Sequence, residues 1–369
     1  MLGRTEKYAA LIATCILTLL NQASYSADDS AKKLEQAGKL IDSGKAKPAS
    51  VLLRQVIRSN PNSAEAHLQL GAALAALVED DKYDEAISEE ELAIKLDPKS
   101  SSARRILGMI YANQKKFDEA ISMLNEACKL KPSSFAAHRD LATTYLAAGK
   151  LDDGIAAFKK AIELKPDNVA VHSKLAVVYS KKNDYANALL EANKAVELAP
   201  KKAETHLLLA NIKLESGDSA GSVEPFKAAI AANGYDSLGC LNPLTAASAF
   251  SGLGWALASD KQATNATLDE AIRDQKKAIK AFPGFLTAYI RNAELLARQN
   301  KNKEAEGIYQ NIFKASHQEA SVGLSYSKFL SNTGRLEEAR SVLQKVLEVS
   351  PQNKQASDAL AALGQSKGK

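Results

Sequence analysis

The chain has 369 residues, more than one compact core usually holds, with 25% charged residues and only 6% aromatic ones, a balance suited to many thin helix layers. Its formal charge of +5 arises from 48 Lys and Arg against 43 Asp and Glu, interspersed along the chain. A balance this mild, with no basic tract interleaved with aromatic residues, excludes nucleic acid from the expected partners.

In chain order, the first segment reads as an export signal. Arg4 and Lys7 precede an apolar stretch from Tyr8 to Leu20, and Ser24-Tyr25-Ser26-Ala27 offers small residues at a cleavage point. Residues 1–26 are therefore expected to be a signal peptide and the protein to be exported, periplasmic or secreted. The apolar stretch is 13 residues long, short of the roughly 20 needed to span a bilayer, so no transmembrane segment is expected in the mature chain. Cys15 follows Ile12-Ala13-Thr14, where Thr14 makes a poor lipidation box. Cys128 and Cys240 lie more than three repeats apart on a stiff rod and are expected to be free, since a disulfide needs Cα atoms within about 7 Å.

Beyond the leader, prolines fall at positions 61, 98, 132, 166 and 200, then 283 and 351, and most of the gaps are 34 residues or a multiple of it. Self-similarity at that period predicts a stack of helix pairs, each burying its apolar face only against its neighbours. Residues 101–134 give the cleanest unit, with Leu107-Gly108, Tyr111, Phe117, Ala120, Leu124, Ala127 and Pro132. Residues 135–168 repeat it with Leu141-Ala142, Tyr145, Gly154, Phe158, Ala161 and Pro166, and residues 169–202 with Leu175-Ala176, Tyr179, Ala188, Ala192, Ala195 and Pro200. On these residues the chain resembles the tetratricopeptide repeat family. The resemblance implies an all-α fold, a right-handed α-solenoid of helix-turn-helix repeats.

The offsets have a physical reading. A first helix carries Leu, a small residue and Tyr on one face, and a second helix carries Ala, a larger apolar residue and Ala on one face. Small residues fall where the paired helices should touch: Gly71, Gly108, Ala142, Ala176 and Ala210 on first helices, and Ala86, Ala120, Gly154, Ala188 and Ser222 on second helices. Extending the register predicts about nine repeats. Six form an N-terminal array over 30–236, at 30–63, 64–100, 101–134, 135–168, 169–202 and 203–236. The 64–100 unit has three extra residues in its inter-helix turn, near Glu79-Asp80-Asp81. Three more form a C-terminal array over 244–353, at 244–285, 286–319 and 320–353, followed by a capping helix and tail at 354–369.

Between the arrays, residues 237–243 read as a seam loop. Pro225 is expected to interrupt a second helix just before it, and Asn233-Gly234 is a turn signal. The following unit, with the only tryptophan, Trp255, shows a long inter-helix excursion around Asp260 to Thr267 that holds the glycosylation sequon Asn265-Ala266-Thr267. The seam either bends the superhelix, forms a partner site or is a neutral insertion.

The candidates for chemistry are few. His67, His138, His172 and His206 occupy one equivalent position, but helix layers about 10 Å apart keep them from converging to the about 2 Å that zinc requires. Packing is their expected role. Asp152-Asp153 and Glu89-Glu90-Glu91 read as solvated helix faces. The chain has no CxxC and no phosphate-cradling Gly-rich loop, so no catalytic residue, metal or cofactor is expected and the protein is not expected to be an enzyme.

What remains is a surface. In tetratricopeptide proteins a concave groove lined mainly by first helices holds extended or helical peptides. Register mapping brings Arg105, Asn113, Arg139, Thr143, Lys174, Lys181 and Asn211 onto that wall, with Asp140 the main opposing charge. Arg291, Arg298 and Lys328 continue it beyond the seam, although Glu294 intervenes. Arg and Lys there suit a partner's carboxylates, and Asn suits an extended backbone. The family's two-carboxylate clamp for chaperone C-termini is not reproduced. The expected function is a non-catalytic protein-protein interaction scaffold or adaptor for a protein or peptide, acidic partners suiting the wall. The alternative is an accessory or glycan-binding subunit of a separate cell-envelope enzyme.

Overall fold

The computed structural model describes residues 29–77, 80–234, 242–260 and 263–365. The expected signal peptide, Cys240 and positions 237–241 of the seam loop lie outside them. Every regular element among the described residues is an α-helix. Packing divides the chain between Asp167 and Asn168 into two units.

The first unit holds α1 (29–42), α2 (Ala46–Ser59), α3 (Ala64–Ala75), α4 (Asp80–Leu96), α5 (Ser101–Asn113), α6 (Phe117–Leu130), α7 (Phe135–Ala147) and α8 (Leu151–Leu164). The second holds α9 (Val169–Lys181), α10 (Tyr185–Leu198), α11 (Ala203–Glu215), α12 (Ser219–Ala232), α13 (Pro243–Ala258), α14 (Asn265–Ala281), α15 (Leu286–Arg298), α16 (Asn302–Ala315), α17 (Ala320–Asn332), α18 (Leu336–Val349) and α19 (Lys354–Gln365).

Local chemistry explains where these helices start and stop. Ser63, Ser100 and Ser134 follow a proline by two residues, and their hydroxyls accept the backbone N–H of Ala66, Ala103 and Ala137 at 3.2–3.3 Å. In the second unit Asn168 caps α9 by accepting from Val171 N–H at 3.1 Å. These side chains satisfy donors that the first helical turn leaves open. Several of the turns inside pairs close with a left-handed residue: Lys115 and Gly149 in the first unit (φ 61° and 75°), Asn183 and Gly217 in the second (φ 58° and 88°). The following N–H then reaches back to a carbonyl of the helix, as Lys116 does to Tyr111 and Asp184 to Tyr179, both at 2.9 Å. This is the Schellman closure of a helix end.

Within each unit, a second helix packs on the next first helix, and consecutive first helices also touch: α3 on α5 and α5 on α7, then α9 on α11, α11 on α13, α13 on α15 and α15 on α17. The expected small residues are buried between paired helices. A Cβ at Gly108 would lie 2.7 Å from Leu124 Cγ and 3.1 Å from Ala120 O, so α5 and α6 approach too closely for any side chain there. Gly154 is looser, its nearest atom being Ala142 O at 3.5 Å. The large slot four residues after the small residue is filled by buried Leu124 and Phe158 in the first unit and Phe226 and Leu343 in the second. In the C-terminal part of the second unit, Tyr309, Tyr326, Phe329 and Phe313 form an aromatic cluster, with Tyr309 and Tyr326 stacked at 5.5 Å.

Three expectations need correction. Pro225 does not interrupt its helix, because α12 runs unbroken from Ser219 to Ala232 around it. The ring removes one N–H, which costs the helix the bond to Gly221 O, while Phe226 and Ala229 on the same helix are buried in a cluster with Ala210, Ala249 and Leu253. The excursion after α13 is shorter than expected: Thr264 caps α14 by accepting Thr267 N–H, so Asn265 and Thr267 lie in the first turn of a helix. Lastly, Glu90 is not on a solvated face. It is fully buried in α4, in the slot where α6 carries Leu124.

Candidate functional site

In the first unit the predicted wall is held together by its one acid. Asp140, on α7 and 9% exposed, accepts Arg105 Nη1 from α5 at 2.8 Å and Arg139 Nε and Nη2 at 2.9 and 2.7 Å. Arg139 also lies 5.9 Å from the Phe135 ring centre. Thr143 donates to its own helix at Arg139 O, 2.9 Å, which leaves its hydroxyl hydrogen occupied. Asn113, the last residue of α5, is exposed. The structure thus brings Arg105 and Arg139 together on Asp140 and leaves Asn113 apart from them. A cleft of about 410 Å³ in this unit has a different lining, which includes Glu91, Arg104, Tyr111, Glu119, Met123 and Glu126.

In the second unit Lys174 and Lys181 are exposed on α9 and Asn211 is half-buried on α11. Arg291 is turned into the fold: its Nη1 donates to Ser251 Oγ at 3.1 Å and its guanidinium lies 5.4 Å from the Trp255 ring centre. Burial pulls its basicity below the usual arginine range, with Glu294 opposing the shift. Arg298 donates one Nη to Ala258 O at 2.7 Å, satisfying a carbonyl at the end of α13. Lys328 is exposed on α17.

Arg298 and Lys328 share a cleft of about 470 Å³ with Trp255, Glu294, Tyr309 and Phe329, and Asn300, Asn302 and Asn332 also line it. It lies chiefly between the first helices α13, α15 and α17. Burial raises the Glu294 carboxyl above the ordinary carboxylate range, and the charges of Lys328 and Arg291 oppose that rise. Sequence reasoning missed Tyr309 and the asparagines. Part of the signal was present, since Glu294 with Arg298 and Lys328 with Asn332 are i, i+4 pairs and each shares one helix face.

The repeat-equivalent histidines have a specific task. Nε2 of His67, His138 and His206 donates to the carbonyl of Pro61, Pro132 and Pro200 at 2.8, 3.0 and 2.7 Å. Each bond ties a first helix to the turn that precedes it. His67 Nδ1 also meets Glu89 at 2.5 Å and His172 Nδ1 meets Glu191 at 2.6 Å, each pairing the two helices of one repeat. Among the described residues no group of three or more His, Cys, Asp or Glu is placed to hold a metal ion. Nor is any described helix long and apolar enough to cross a membrane.

Comparison with known proteins agrees with this geometry. Tetratricopeptide repeat sequence models match residues 39–101, 76–135, 113–178, 145–212 and 324–353. The chain belongs to the tetratricopeptide repeat family. Among solved structures, a tetratricopeptide repeat protein from Parabacteroides merdae is 16% identical with a TM-score of 0.59, over 72% of this chain and 99% of that one. The anaphase-promoting complex assembly Cut9-Hcn1 is 15% identical with a TM-score of 0.51, over 90% of this chain and 55% of that one. MamA from Desulfovibrio magneticus RS-1 is 25% identical over 46% of this chain and 95% of its own, with a TM-score of 0.41. No curated protein matches the chain significantly.

Proposed function

We propose that this protein is a non-catalytic interaction scaffold that holds a partner protein or peptide against the first-helix side of its repeats. One observation carries the reading. In each unit first helix touches first helix, which sets exposed polar side chains such as Asn113 in one unit and Lys174, Lys181 and Lys328 in the other on preformed, rigid walls. A receptor already ordered spends little free energy on ordering itself when it binds. Membership of the repeat family supports the same conclusion. The partner is a protein or peptide, with carboxylates matched to the lysines.

Export is part of the proposal. It rests on Arg4, Lys7 and the apolar stretch to Leu20, and cell fractionation with mass measurement of the mature chain tests it. The functional reading is tested by affinity capture of the full chain from its native compartment followed by mass spectrometry. Reproducible recovery of non-enzymatic partners is the expected result. Turnover of a substrate by the chain alone, or recovery of an active hydrolase or transferase, overturns it.

A further inference from the structure

We infer that the cleft between α13, α15 and α17 holds a short acidic-apolar segment of the partner, with a carboxylate side chain at Lys328 and Arg298 and the adjoining apolar side chain against Trp255 and Phe329. The inference rests on the scaffold reading and names where, and with what chemistry, the second unit grips.

Size comes first. At about 470 Å³ the cleft falls within the about 300–1,000 Å³ range of ligand pockets. Its floor is apolar, because Phe329 and Tyr309 are buried rings and Trp255 is preset by the Arg291 guanidinium stacked on it.

Charge then chooses the occupant. Some basic side chains of this unit are already neutralised by acids: Lys194 pairs with Glu197, Lys277 with Asp274, and Arg335 with both Glu306 and Glu338. Within the cleft Lys328 has no ion-pair or hydrogen-bond partner among the described residues, and Arg298 spends only one nitrogen, on Ala258 O. Glu294, the only acid in the lining, closes on neither of them. The lining therefore keeps one positive charge in excess, with Arg291 a further cation behind Trp255. A carboxylate brought here forms charge-assisted bonds with the Lys328 ammonium and with the Arg298 nitrogens not spent on Ala258 O, and Glu294 is left to accept a backbone N–H of the same segment. Desolvation by the surrounding rings strengthens these bonds relative to an open surface. The first unit offers no equivalent, since Arg105 and Arg139 already share Asp140.

The chain contains one tryptophan, so its emission reports this cleft. The experiment titrates the full chain with three capped hexapeptides free of tryptophan and tyrosine: alternating Asp and Leu, alternating Lys and Leu, and alternating Asp and Gly. The expected result is a saturable Trp255 change with the Asp-Leu peptide at a half-point below about 1 mM, and at least about fivefold weaker binding of the other two. Lys328→Glu lies on an exposed position and should weaken the Asp-Leu peptide at least about fivefold, with unchanged thermal unfolding. Equal response to the Lys-Leu peptide, no saturable response to the Asp-Leu peptide, or indifference to Lys328→Glu overturns the inference. Affinity capture keeps the two readings separate. Partners retained equally by wild type and Lys328→Glu sink the cleft but leave the scaffold standing, whereas a chain that retains none removes both.

Discussion

Glu90 rests directly against Gly71: a Cβ added at Gly71 would come within 2.5 Å of Glu90 Oε1 and 2.8 Å of its Cγ. The missing side chain on α3 makes the space that the acid on α4 fills. Neither carboxyl oxygen has a hydrogen-bond partner among the described residues. Burial accordingly pushes the group up to about 9, opposed by the charge of Arg105 and assisted by those of Glu89 and Glu65.

The consequence is a pH-dependent stability. The folded state holds a proton on Glu90 that the unfolded chain releases above its ordinary value of 4.5. Stability from this group is thus fully present below about pH 4.5 and is lost as pH rises toward about 9. Glu90→Gln keeps the shape and removes the proton. Denaturant unfolding should show the variant gaining on wild type by up to about 1.4 kcal/mol per pH unit between about pH 5 and 9. A difference that stays flat over that interval refutes the neutral buried acid.

The closeness of α5 and α6 at Gly108, set against the looser fit at Gly154, gives a paired test. Gly108→Leu drives a side chain into Leu124 and should cost about 1–3 kcal/mol or more. Gly154→Ala meets only ordinary contacts and should stabilise the helix by up to about 1 kcal/mol. Thermal unfolding of both variants, compared with wild type, decides it; equal effects at the two sites would count against the packing argument.

Asp140 is shared by two arginines, so its removal strands both. Asp140→Asn should destabilise the first unit by about 1–3 kcal/mol, below the about 3–5 expected on breaking a fully buried pair, because the Arg139 side chain remains 39% exposed. A loss under about 0.5 kcal/mol in urea unfolding marks the pairs as ordinary surface contacts.

Lys115 takes the left-handed conformation that Gly149 takes one period later. A lysine pays a steric cost there that glycine avoids. Lys115→Gly should gain up to about 1 kcal/mol, and Gly149→Ala should lose about 1 kcal/mol. Calorimetry showing the opposite signs contradicts the turn geometry.

The helical register was legible because its cause is local: prolines recurring at a period of 34, and stripes such as Leu107, Gly108 and Tyr111 on one face. Other features were hidden because they depend on neighbours distant in sequence. Glu90 reads as a surface acid until Gly71 is seen opposite it, and Arg105 and Arg139 read as free cations until both converge on Asp140. Pro225 reads as a breaker because its ring is judged alone, without the buried Phe226 and Ala229 that hold α12 in place. Of the cleft, Trp255, Arg298 and Lys328 were visible as individual residues, but Tyr309 enters from a second helix, which the first-helix rule passes over.

The histidine clasps carry a consequence for how such a chain changes over time. The joints that precede α3, α7 and α11 are fastened by the same two atoms, an imidazole nitrogen and a prolyl oxygen six residues upstream. A duplication or excision of the 68 residues from His138 to His206, two periods of 34, splices one fastening onto an identical one, so the array can lengthen or shorten there without inventing a new seam.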